Sequence, residues 1–253
     1  MPGPTLDNGP VFALTGDLDW ASEACVADFL SFTASFDIRP TLFMTHRSQA
    51  VDRYVEEHGA QIGLHPNFRP ESTHGSDIAS VVDHCCGLYP DAQTFRSHAF
   101  YDSTDILTEI ARRGIRYDSN LCLHLQPNIV PLVLGAERIV RIPVFWADDC
   151  HWRNEEEDWV VERFMPYFLT PGLKVLAVHP FNVALNTPTQ AYYRDHKDQI
   201  QRADGSAIQA LRWHGPGVRT FLCDLLHRLT SRGEKFYTLD EIYHRYHPRR
   251  VGA

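Results

Sequence analysis

The 253-residue sequence predicts an α/β fold of parallel strands joined by crossover helices, and three observations carry that expectation. Short apolar runs of strand composition recur along the chain. Stretches with helical spacing of apolar residues fall between most of them, and conspicuous polar residues stand where the runs end. The runs cover 11–17, 41–45, 61–65, 94–100, 139–145 and 174–179, with a last one at 235–239. Between them, Val26, Phe29 and Leu30 share one helical face, as do Leu107, Ile110 and Ala111. Phe221, Leu222, Leu225, Leu226 and Leu229 repeat the spacing before the final run. Such alternation admits an open doubly wound sheet or a closed or distorted barrel. In both, ligands sit at the carboxyl ends of the strands.

The length exceeds that of a common domain, but alternating barrels of this size fold as one unit, so residues 1–253 are expected to form a single domain. A hydrophobic content of 43% is enough for a real core. The formal net charge of -8 argues against a nucleic-acid partner, because phosphate binding needs clustered Lys and Arg. No apolar run reaches the length of a membrane span, and the first ten residues lack the pattern of an export signal, so a cytoplasmic protein is expected. The six cysteines, at 25, 85, 86, 122, 150 and 223, lack the paired spacing of a zinc site or disulfide framework and read as reduced thiols.

Two segments break the alternation, 123–137 and 185–217. The second is long and polar, carries Tyr192, Tyr193, Arg212, Trp213 and His214, and ends Gly215-Pro216-Gly217. Its aromatic content favours an active-site loop or lid over a disordered linker.

The chemistry-bearing residues gather at the ends of runs. The first ends Thr15-Gly16-Asp17-Leu18-Asp19-Trp20. Residues two apart on a strand share a face, so Asp17 and Asp19 are expected to project into one cavity, where a cation or an arginine would relieve their repulsion. The bland reading of Asp19 is the N-cap of the next helix. The third run ends Gly63-Leu64-His65-Pro66-Asn67, and a later one ends Ala177-Val178-His179-Pro180-Phe181-Asn182. A single histidine is more often structural, but two alike at strand ends are well placed to be ligands or proton carriers.

Taken in order, Thr15-Gly16-Asp17-Leu18-Asp19, Ile62-Gly63-Leu64-His65, Phe95-Arg96-Ser97-His98-Ala99-Phe100, Phe145-Trp146-Ala147-Asp148-Asp149 and Val178-His179 form a recognisable succession. It resembles the five motifs of the NodB-homology polysaccharide deacetylases, carbohydrate esterase family 4. The resemblance runs from about residue 11 to 182 and is nearest to a divergent branch found in bacterial surface-polysaccharide and O-antigen gene clusters. It implies a single-domain distorted (β/α) barrel with about seven parallel strands.

The resemblance also implies roles. Asp17 is the general base and Asp19 a metal ligand, with His65 the first of two ligating histidines. The second would stand four positions on, where this chain has Arg69; His74 is the favoured replacement, and His98 is its rival. Arg96 orients the base, His179 is the general acid, and the acidic residue that tunes His179 falls on Asp148 or Asp149. One carboxylate and two imidazoles leave open positions on a single divalent ion, with zinc the expected metal.

The expected activity is therefore metal-dependent hydrolysis of a non-peptide C–N bond, the deacetylation of an N-acetylated sugar or surface-polysaccharide precursor. Two alternatives stay open: hydrolysis of another amide, and a metal-free carbohydrate-binding protein, for which Arg69 is the best argument.

Overall fold

The structure, a computed structural model, describes residues 9–246 apart from 136–137, 156 and 202–203. The chain alternates as expected through β1 (Pro10–Asp17), α1 (Glu23–Ala34), β2 (Thr41–Met44), α2 (Gln49–His58), β3 (Gln61–Leu64), α3 (Ile78–Leu88), β4 (Thr94–Phe95) and α4 (Thr104–Arg112). It continues through β5 (Tyr117–Asp118), β6 (Leu132–Leu134), β7 (Ile139–Arg141), β8 (Val144–Ala147), α5 (Asp148–Asn154), α6 (Val161–Phe168) and β9 (Gly172–Val178). Helices α7 (Pro180–Leu185), α8 (Gln190–Ile200), α9 (Gly205–Leu211), α10 (Val218–Ser231) and α11 (Leu239–Tyr246) complete it. No described helix is long and apolar enough to cross a membrane.

Short polar side chains start the helices. Ser22, Ser48, Asp77 and Ser103 accept main-chain N–H bonds at the N-termini of α1 to α4, satisfying donors that have no partner within the helix. Ser22 therefore caps α1, and Asp19 is free of that duty.

The strands form one nine-stranded sheet in the order β6-β7-β5-β4-β3-β2-β1-β9-β8, all parallel to their neighbours except the β6–β7 pair. In register, Val11 faces Leu173 and Thr15 faces Ala177, so β1 and β9 pair along most of their length. Laid flat, the seven steps from β7 to β8 would hold those strands about 34 Å apart. Yet only Ile142 and Pro143 separate them in the chain, a reach of about 11 Å at most. The sheet must curl until its ends meet, and a bridge between Cys122 and Val144 marks the seam. This is the distorted barrel expected, with eight strands in parallel and β6 appended outside.

Some elements differ from expectation. The run 94–100 is a strand only through Phe95, because the chain turns at Ser97 into a 3-10 turn over His98–Phe100 with Ala99 and Phe100 left-handed. The run 139–145 is two strands, since Pro143 brings no N–H and the chain there passes from β5 to β9 as partner. The run 235–239 gives only a bridge from Phe12 to Phe236, for Glu241 donates its N–H to Thr238 Oγ1 and α11 begins. Segment 185–217 is not an irregular loop: it holds α8 and α9, and its ends are tied by Asn186 Nδ2, which donates to the carbonyls of Trp213 (2.9 Å) and Gly215 (2.8 Å).

Gly63 shows how tightly the sheet packs behind the site. A Cβ there would lie 2.7 Å from the Phe43 ring and 2.9 Å from Thr94 Cγ2. Gly63→Ala is expected to destabilise the chain by about 1–3 kcal/mol through overpacking, read as a lower thermal midpoint. An unchanged midpoint would show that the Phe43 ring yields freely.

Candidate active site

The expected residues converge at the carboxyl ends of the strands. Asp17 is the last residue of β1, and its Oδ1 accepts a 2.7 Å bond from Arg96 Nη1. Arg96 is wholly buried and fixed on every side: Nη1 also donates to Thr15 Oγ1 (2.8 Å), Nε to the Ser119 carbonyl (2.9 Å) and Nη2 to Ser119 Oγ (2.7 Å). A guanidinium so held fixes in turn the carboxylate it grips. Ser119 lies outside the motifs, and Thr15, though it opens the first, gave no signal of this part.

Asp19 reaches the same cavity by a different route from the one expected. The strand ends at Asp17, and Asp19 turns inward because its backbone is left-handed, at φ 44°. Its Oδ1 accepts from His65 Nε2 at 3.0 Å and from His98 Nδ1 at 2.9 Å, and its Oδ2 lies 3.4 Å from His179 Nε2. Burial opposes ionisation of Asp19, but the two histidine bonds and the charge of His179 outweigh it and hold the carboxyl well below its usual range.

The third member of this cluster is His98, and the favoured His74 lies outside it. The donor atoms of Asp19, His65 and His98 all lie within 4.8 Å of one another. His74 is turned away: its Nδ1 accepts the Asn67 N–H at 3.2 Å, and its ring stacks on His84 with centroids 4.9 Å apart. Burial lowers its pKa to about 4, so it is a neutral packing residue beneath the loop that follows β3. The 3-10 turn after β4 brings His98 inward, a placement that residue spacing alone did not favour over His74.

His179 follows β9, and its partner is Asp148. Asp148 Oδ1 accepts from His179 Nδ1 at 2.7 Å and Oδ2 from the His179 N–H at 2.8 Å, while Asn182 Nδ2 and the Asp149 N–H fill the remaining lone pairs. Burial alone would neutralise the imidazole. The wholly buried Asp148 carboxylate overrides it, aided by Asp19 and Asp149, and holds the His179 pKa well above its ordinary value. Asp149 makes no such bond; it faces the cavity, and burial pushes its pKa up.

Around these groups lies a cavity of about 230 Å³. Trp152, Phe181 and Tyr193 give it aromatic walls, with Phe181 and Tyr193 stacked at 5.0 Å. Sequence reading singled out Tyr193 but not Trp152, whose signal was its place one helical turn beyond Asp148. Gln190 and Tyr193 bring α8 to the cavity rim.

Comparison with known proteins fits this geometry. The chain is similar to the crystal structure of a Bordetella bronchiseptica protein described as a polysaccharide deacetylase involved in O-antigen biosynthesis, at 28% identity and a TM-score of 0.76, covering 86% of this chain and 90% of that one. A 4-alpha-glucanotransferase from Thermococcus litoralis is similar in fold alone, at 11% identity and a TM-score of 0.51, over 95% of this chain and 39% of that one. A family 4 carbohydrate esterase from Streptomyces lividans superposes more loosely, at 14% identity and a TM-score of 0.45, over 90% of this chain and 92% of that one. Comparison with curated proteins gave no significant match. The profile of the WbmS-like polysaccharide deacetylases matches residues 14–197, a span that runs from β1 to α8 and takes in every group described at the site, and the chain belongs to that family.

Proposed function

We propose that the protein is a metal-dependent hydrolase that removes an acetyl group from an N-acetylated sugar, in a surface polysaccharide or its precursor. The observation that carries this reading is the meeting of three units in one cavity: Asp17 held by Arg96, Asp19 with His65 and His98, and His179 held by Asp148. The O-antigen description of the Bordetella protein supports the same substrate class.

Asp19, His65 and His98 fit a divalent ion. Their donor set is one carboxylate and two imidazoles at ligand spacing, which leaves coordination positions open and suits zinc. Asp148, Asp149 and His179 have similar spacing, but the lone pairs of Asp148 are already taken by four donors. An ion on the first set would supply a Lewis acid beside the amide carbonyl. The place of His98 beside Asp19 and His65 supports a bound metal despite Arg69 at the usual ligand position.

The chain's own residues do the rest. Asp17, kept in place by Arg96, accepts a proton from the attacking water. His179, kept protonated by Asp148, donates one to the departing nitrogen. The aromatic walls exclude bulk water and hold the apolar face of a sugar ring.

Purified protein exposed to zinc, cobalt or nickel is expected to hold about one ion per chain by elemental analysis, because of the two candidate sets among the described residues only Asp19, His65 and His98 keep lone pairs for an ion. His98→Ala should weaken that binding far more than His74→Ala. Metal content near zero under all three ions would sink the reading, and a larger loss from His74→Ala would return the ligand to that position. Acetate release from N-acetylated sugars tests the reaction itself.

A further inference from the structure

Two guanidinium groups line the same cavity and have no part in the chemistry above. Arg69 stands in the loop after β3, and Arg153 lies near the end of α5, after β8. In the sheet order β3 and β8 are four places apart, so in a curled sheet these side chains approach the cavity from different walls. Both residues are exposed.

Neither is needed to balance the catalytic acids. Asp17 is paired with Arg96, Asp19 with His65 and His98, and Asp148 with His179. Arg153 makes a loose contact with Asp149 at 3.4 Å. Arg69 makes no ion pair among the described residues; its main-chain N–H bonds to Asn67 Oδ1, which leaves the guanidinium free to meet a ligand. The hydroxyls of a neutral sugar offer such groups only uncharged acceptors, whereas a carboxylate or phosphate presents paired charged oxygens that match the guanidinium fork and bond about twice as strongly.

We propose that the ligand of this cavity is an anionic sugar, carrying a carboxylate on the ring or a phosphate linked to it, and that Arg69 and Arg153 bind the anionic group. The inference rests on the deacetylase reading only in taking the ligand to be an acylated sugar. The aromatic walls hold the ring while the two arginines select its charge.

The test is calorimetric titration of the whole chain, at low ionic strength, with an N-acetylhexosamine, the matching N-acetylhexosaminuronic acid and the N-acetylhexosamine 1-phosphate. One of the two anions should bind about tenfold tighter or more than the neutral sugar, as charge-assisted hydrogen bonds allow. Which one does so identifies the source of the charge. The preference should shrink as salt is raised, and the ratio of the two affinities should fall in Arg69→Gln and in Arg153→Gln. Equal affinity for all three ligands, no binding of either anion, or a preference that survives both replacements would overturn the proposal. Acetate release from the same three compounds is read separately. A charge preference without acetate release sinks the deacetylase reading and not this one, and acetate release without a preference does the reverse.

Discussion

Asp17→Asn is expected to lower turnover about a hundredfold to ten-thousandfold, the range that loss of a general base produces, while leaving the affinity for a divalent ion close to that of the parent. The two aspartates are only two residues apart, yet their surroundings differ. Asp17 is gripped by a buried arginine that orients it, and Asp19 faces two imidazole nitrogens. An asparagine at 17 keeps an oxygen for Arg96 to hold, so the fold should tolerate the change, but an amide cannot take a proton from water. Asp19→Asn should give the opposite pattern, with metal affinity falling first. If Asp17→Asn abolished metal binding and Asp19→Asn spared it, the roles assigned here would have to be exchanged.

The second large effect is expected at His179. His179→Ala should cost on the order of a hundredfold or more on an N-acetyl substrate and far less on an activated ester, whose leaving group needs little protonation. Equal losses on both, or loss of the metal, would remove His179 from the acid role. The partner gives an independent readout. The His179 pKa is raised, so the protonated ring is present below that pKa and is lost as pH rises through it. Asp148→Asn removes the charge that overrides burial, and burial then favours the neutral ring. The alkaline limb of the pH–rate profile should therefore move to lower pH. An unmoved limb would mean that another group sets it.

The sequence was legible where local chemistry and position agree. Apolar runs ending in Asp17, His65 and His179 marked strands and site together, because in a parallel fold the same feature serves both. Legibility failed where tertiary contacts decide. The brief strands β4 and β5 owe their existence to neighbours, and two residues carry no periodicity. Asp19 was placed in the cavity on an argument from strand pleating, but a left-handed turn is what puts it there. His98 lost to His74 on spacing because nothing in Ser97-His98-Ala99 announces a tight turn with a left-handed alanine. Asp148 was not separable from Asp149 in sequence, since which of two adjacent acids points inward depends on where α5 starts.

The pairing of β1 with β9 bears on how the chain comes to be folded. Thr15 Oγ1 donates to the Leu176 carbonyl across 161 positions of sequence, and the strand that carries Asp17 is made long before the strand that leads into His179. During synthesis β1 therefore waits, almost wholly apolar, with the side later covered by β9 unpaired. Parallel pairings of such long range form slowly, and an apolar edge left open in the meantime invites association between chains. Nor do Asp19 and His179 meet before the barrel closes, so a chain cut short before residue 172 lacks more than its acid. It keeps an adhesive edge, and its yield in soluble form should fall well before any question of activity arises.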